Sequence, residues 1–81
     1  MFTGMLWYDN DPKTDLLDKV NRAAEYYKTK YGRVADVCLV NPTMLEKTRL
    51  QTGKILVRAA KTVRPNYFWI GVEEKTPLGA D

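Results

Sequence analysis

Two aspartates one residue apart, Asp9 and Asp11, stand where an apolar run gives way to polar chain. Two carboxylates at the carboxyl end of a strand can seat Mg²⁺ or share acid and base roles. A different chemistry belongs to Trp7, Tyr67 and Trp69 taken with Lys54, Arg58, Lys61 and Arg64. Aromatic rings on an open sheet stack unpaired bases, and cations beside them neutralise phosphates. Cys38 is a third candidate, but it lies within the apolar run Val37-Cys38-Leu39-Val40 and reads as a buried small hydrophobe. With no His and a single Cys, the chain offers neither a structural zinc site nor an intramolecular disulfide, and no cofactor is implied.

The string Trp7-Tyr8-Asp9-Asn10-Asp11-Pro12-Lys13-Thr14 resembles the first motif of haloacid-dehalogenase-type phosphotransferases, whose paired aspartates serve as nucleophile and acid/base. The resemblance spans about eight residues. It departs from that family in lacking the further lysine and acidic motifs, and the chain is too short for the full Rossmann-like domain that carries them. Asp11 read as a helix cap accounts for the same residues, so no catalytic role is assigned and a non-enzymatic protein is expected. A broader resemblance joins Lys30-Tyr31-Gly32, Cys38-Leu39-Val40-Asn41-Pro42 and Trp69-Ile70-Gly71-Val72-Glu73-Glu74-Lys75 to small uncharacterised prokaryotic proteins of similar length. It implies a compact standalone domain and no particular activity.

At 81 residues and 44% hydrophobic content the chain is one small globular domain, expected over residues 1–74 with a flexible tail at 75–81. A chain of this size buries only roughly 60% of its unfolded surface, so association with another molecule would add needed stability. The net charge of +3 permits an anionic partner without requiring one. The basic residues are unevenly placed: Lys47, Arg49, Lys54, Arg58, Lys61 and Arg64 follow one another without an intervening acid. The first residues carry no basic leader region and are too short to span a membrane, so a cytoplasmic protein without membrane contact is expected.

Phe2 to Tyr8 reads as a first strand, ended by Asp9-Asn10-Asp11. Asp11 as N-cap and Pro12 as first residue predict a long helix with the stripe Leu16, Val20, Ala23, Tyr27 and Tyr31, closed near Gly32. Ala35 to Val40 predicts a second strand, and a strand-helix-strand unit predicts that strands one and two run parallel. Asn41-Pro42 allows a short helix, after which Ile55 to Lys61 and Tyr67 to Glu73 predict an antiparallel hairpin. The expected fold is α+β, in the order β-α-β-β-β, with a mixed four-stranded sheet and one long helix on one face.

Four strands span about 19 Å and one helix covers about 10 Å, so one face of the sheet is left without a layer. Alternation along the strands assigns Phe68, Ile70 and Val72 to the helix side and Tyr67, Trp69, Lys54 and Arg58 to the outer side. For the first strand the pair Met5 and Trp7 is expected outside, with Phe2 and Leu6 inside. Self-association, most simply as a homodimer, is the leading use of such a face. Single-stranded nucleic acid, held by Trp7, Tyr67, Trp69, Lys54, Arg58, Lys61 and Arg64, is the alternative, although no RNA-recognition signature is present. A metal-dependent enzyme built on Asp9 and Asp11 is the third reading.

Overall fold

The computed structural model describes residues 2–45 and 49–73. Lys47 and the segment 75–81, expected from sequence to be a tail, lie outside the described residues. The elements run β1 (Phe2–Tyr8), α1 (Leu16–Tyr31), β2 (Val37–Val40), a 3₁₀ turn (Pro42–Met44), β3 (Arg49–Thr52), β4 (Ile55–Ala59) and β5 (Tyr67–Glu73). This is an α+β arrangement with one sheet of five strands in the order β1-β5-β2-β4-β3. The expected count of four strands is corrected by β3. Arg49-Leu50-Gln51-Thr52 alternates outward and inward side chains, and Gly53, with φ of 58°, and Lys54 make a two-residue turn into β4.

The helix begins later than its sequence predicts. Asp15 is the N-cap: its backbone is extended and its carboxylate accepts the Asp18 N–H at 2.9 Å. Asp11 instead organises the preceding loop, accepting from the Lys13 N–H at 2.9 Å and the Thr14 hydroxyl at 2.7 Å. A short polar side chain bonding to chain two or three residues ahead stabilises a turn as readily as a helix start, so composition alone did not separate the two. At the other end Gly32 adopts φ of 70° and donates its N–H to the Lys28 carbonyl at 2.8 Å, as expected of a left-handed cap.

β1 and β2 run in the same direction, as the strand-helix-strand unit predicts, but β5 lies between them and pairs antiparallel with both. The expected hairpin of β4 with β5 is therefore not formed; β2 separates them and pairs parallel with β4. The most apolar strand, β2, takes the centre of the sheet with a strand on either side, and residues 60–66 cross its end to reach β5. That crossing is tied down by Asn41, whose Nδ2 donates to the Val63 carbonyl at 2.8 Å. Asn66 closes it with φ of 71°, a left-handed conformation that Asn adopts more readily than other side chains.

α1 packs on β5 and β1. Between them lies the core of Val20, Ala23, Tyr27, Cys38, Val40, Ile55, Val57, Phe68 and Ile70. Met44, Leu45 and Leu50 extend this layer beyond the reach of the helix. Met5 and Trp7 also pack against it, which reverses the expected orientation of β1.

Candidate functional site

With Cys38, Val40, Val57, Phe68 and Ile70 committed to the core, alternation sends Val37, Leu39, Leu56, Arg58, Tyr67, Trp69 and Gly71 to the other face of the sheet. Register places them in rows. Leu6, Trp69, Leu39, Arg58 and Arg49 stand side by side across all five strands. Gly4, Gly71, Val37, Leu56 and Gln51 form the next row, and Tyr8 pairs with Tyr67 beyond the first. Among the described residues the one α-helix lies on the opposite face.

The outer face is apolar at the β1 side and cationic at the β3 side. Leu6 and Tyr8 are 59% and 53% exposed, and the Tyr8 and Tyr67 rings meet at 4.8 Å between centroids. Trp69 and Tyr67 are half-buried. Together with Leu6 and the chain at Thr62, Val63 and Arg64 they line an open cleft of about 470 Å³. At the other side Arg58 and Arg49 are directly opposite each other on neighbouring strands, a pairing that like charges oppose unless an anion relieves it. Glu73 is one such anion, 3.4 Å from Arg58, in an exposed pair of small energetic value.

The sequence-derived candidates separate accordingly. Tyr67, Trp69 and Arg58 share the outer face. Arg64 borders the cleft, and Lys61 is exposed in the same loop. Lys54 sits in the β3–β4 turn, at the opposite end of β4 from that loop, and so does not join them. Trp7 is corrected to the helix side, its ring 5.0 Å from that of Tyr26. Leu6 and Tyr8 take its place on the outer face, and Arg49, Leu39 and Leu56 complete it. The alternation of Arg49-Leu50-Gln51-Thr52 before Gly53-Lys54 was the available signal for Arg49. Leu6 and Tyr8 carried none, because both faces of β1 are apolar.

Asp9 and Asp11 do come together, around Arg22. One guanidinium nitrogen lies 3.7 Å from a carboxylate oxygen of each. Their other contacts are local: Asp9 accepts the Asp11 N–H at 3.0 Å, while Asp11 holds Lys13 and Thr14. The Thr14 hydroxyl first, then the Lys13 amide and Arg22, hold the Asp11 carboxyl below its ordinary range. A cation of this chain already occupies the ground between the carboxylates, and the arrangement is that of a loop anchored to α1. Among the described residues no group of three or more His, Cys, Asp or Glu converges on a point. Cys38 is buried, and desolvation pushes its thiol up to about 12, so it is not a nucleophile in the folded protein.

Comparison with protein families, with curated proteins and with solved structures finds no match for this chain. No helix among the described residues is long and apolar enough to cross a membrane.

Proposed function

We propose that this chain is a non-catalytic binding protein whose working surface is the outer face of its sheet, and that it self-associates through the apolar part of that face. The observation that supports the reading is the cluster of Leu6, Tyr8, Tyr67 and Trp69 on a side of the sheet where no described helix lies. Aromatic residues and Leu gathered in this way are characteristic of interaction sites on small domains. Burying them against a second copy would add stability that a domain of 81 residues otherwise lacks. Sedimentation at tens of micromolar tests the proposal. A dimer is expected, converted to monomer by the double variant Leu6→Glu, Trp69→Ala; a wild-type monomer at that concentration would overturn it.

A second reading is favoured by one feature, the Arg58–Arg49 pair at the end of the row that begins with Leu6 and Trp69. Half-buried aromatic rings in line with two opposed cations suit a single strand of nucleic acid. Quenching of tryptophan fluorescence by a short oligonucleotide, weakening steeply with salt and abolished by Arg58→Glu, is the expected result. An oligonucleotide that leaves the fluorescence unchanged at low salt sinks this second reading.

A further inference from the structure

We infer that self-association takes place edge to edge, through antiparallel pairing of β1 with β1 of a second copy, giving one continuous sheet across the dimer. The inference rests on the reading that the chain self-associates, and moves the contact from the outer face itself to its β1 edge, where Leu6 and Tyr8 stand.

Two edges bound the sheet, and they differ in kind. β3 is four residues long and carries Arg49 and Gln51, features that discourage pairing with another chain. β1 is seven residues long, Phe-Thr-Gly-Met-Leu-Trp-Tyr, with no charge and no proline. Among the described residues β5 is its one strand partner. A long uncharged edge presents a row of unpaired amides and carbonyls, and such edges seek another strand.

The position of the free groups follows from one hydrogen bond. Asp9 N–H donates to the Asn66 carbonyl at 2.9 Å, continuing the β1–β5 register by one pair. In an antiparallel ladder the residues that bond across one side alternate with those that face the other. Thr3, Met5 and Trp7 therefore bond to β5. The backbone groups of Phe2, Gly4, Leu6 and Tyr8 point away from it.

Those four positions are self-complementary about a two-fold axis at Met5. Antiparallel pairing centred there sets Phe2 opposite the partner's Tyr8, and Gly4 opposite the partner's Leu6. Each of the four residues then meets another whose backbone groups face the seam, so none is left unpaired. On the outer face the same register lays each Leu6 beside the other copy's Gly4, whose row continues into Gly71. An exposed side chain on one copy thus faces a stretch without side chains on the other. Trp69, one strand inward, stays accessible, and the two outer faces become one surface.

Proline substitution separates this arrangement from a face-to-face dimer. Leu6→Pro removes a donor that the subunit does not use internally, on an edge strand where proline is tolerated. It is expected to raise the dimer dissociation constant by about a hundredfold while the circular dichroism spectrum is retained. Trp69→Ala is expected to change the constant by less than about threefold. As a measurement independent of that fold, Met5→Cys should be oxidised by diamide to a dimer linked by one disulfide. Directly opposed residues at this kind of position have Cα atoms about 4.5 Å apart, within disulfide range, and the buried Cys38 does not compete. A dimer that survives Leu6→Pro, fails to cross-link at position 5 and dissociates with Trp69→Ala overturns the edge geometry and leaves the proposed self-association standing. A wild-type monomer overturns both.

Discussion

The indole of Trp7 packs against the phenol ring of Tyr26 at 5.0 Å between centroids, holding β1 to the helix above it. Trp7 also packs against the core, yet its Nε1 is buried without a hydrogen-bond partner. Trp7→Ala should therefore destabilise the fold by about 2–3 kcal/mol, at the low end for a core aromatic because the ring is half-buried. Trp7→Phe should cost less than about 1 kcal/mol, since the lost ring area is offset by removal of an unsatisfied donor. Urea midpoints of the two variants check the ordering, and a Phe variant as unstable as the Ala variant would refute it.

Why Trp7 was placed on the wrong face by its sequence, while Trp69 was placed correctly, comes down to what alternates with each. Trp69 alternates with Phe68, Ile70 and Val72, an all-hydrophobic set that belongs to a core. Trp7 alternates with Leu6 and Tyr8, and neither set of β1 residues is polar enough to mark the wet side. The same limit hid the sheet order: β4 and β5 have the pattern of hairpin strands, and nothing local shows that β2 will enter between them. Gly32 and Asn41, whose capping roles depend on their own backbone, were legible directly. Arg22 as the partner of Asp9 and Asp11 was not, because that encounter needs the helix to fold back over the loop.

Gly4 and Gly71 oppose each other across β1 and β5, and the backbones approach so closely that neither position tolerates a side chain. A Cβ at Gly71 would collide with the Thr3 carbonyl oxygen, and one at Gly4 with the Ile70 carbonyl oxygen. Both contacts are with backbone, which cannot rotate aside. Gly71→Ala should thus cost about 1–3 kcal/mol, the range for forced overpacking, even though alanine suits a strand no worse than glycine. Thermal unfolding followed by circular dichroism measures it; an unchanged midpoint would show that the two strands part more easily than their register implies.

Cys38 offers a chemical clock for opening of the sheet. Its thiol is sealed among Val40, Val57 and Ile70, and the elevation to about 12 leaves almost no thiolate at neutral pH. Alkylation by iodoacetamide near pH 8 should be at least about a hundredfold slower in the native protein than in urea, since reaction requires exposure of β2. Comparable rates in the two conditions would mean that the centre of the sheet opens readily.

Asp11 predicts how the fold responds to acid and to divalent cations. Its folded carboxyl is held below the ordinary value of 3.8, chiefly by the Thr14 hydroxyl and then by the Lys13 amide, with Arg22 adding to both. A group whose pKa is lowered on folding contributes stability that is complete above its unfolded value and is lost as pH falls through its folded one. Acidification below about pH 4 should therefore weaken the wild type more than Asp11→Asn, whose amide cannot titrate. Urea unfolding at successive pH values reads this as a shallower acid limb in the variant, and parallel limbs would contradict it. At neutral pH, millimolar Mg²⁺ should leave the melting temperature unchanged, because Arg22 already sits 3.7 Å from both Asp9 and Asp11. Arg22→Ala removes that cation. A rise in melting temperature with Mg²⁺ in this variant and not in the wild type would show that the guanidinium, rather than the geometry of the carboxylates, keeps the ion out.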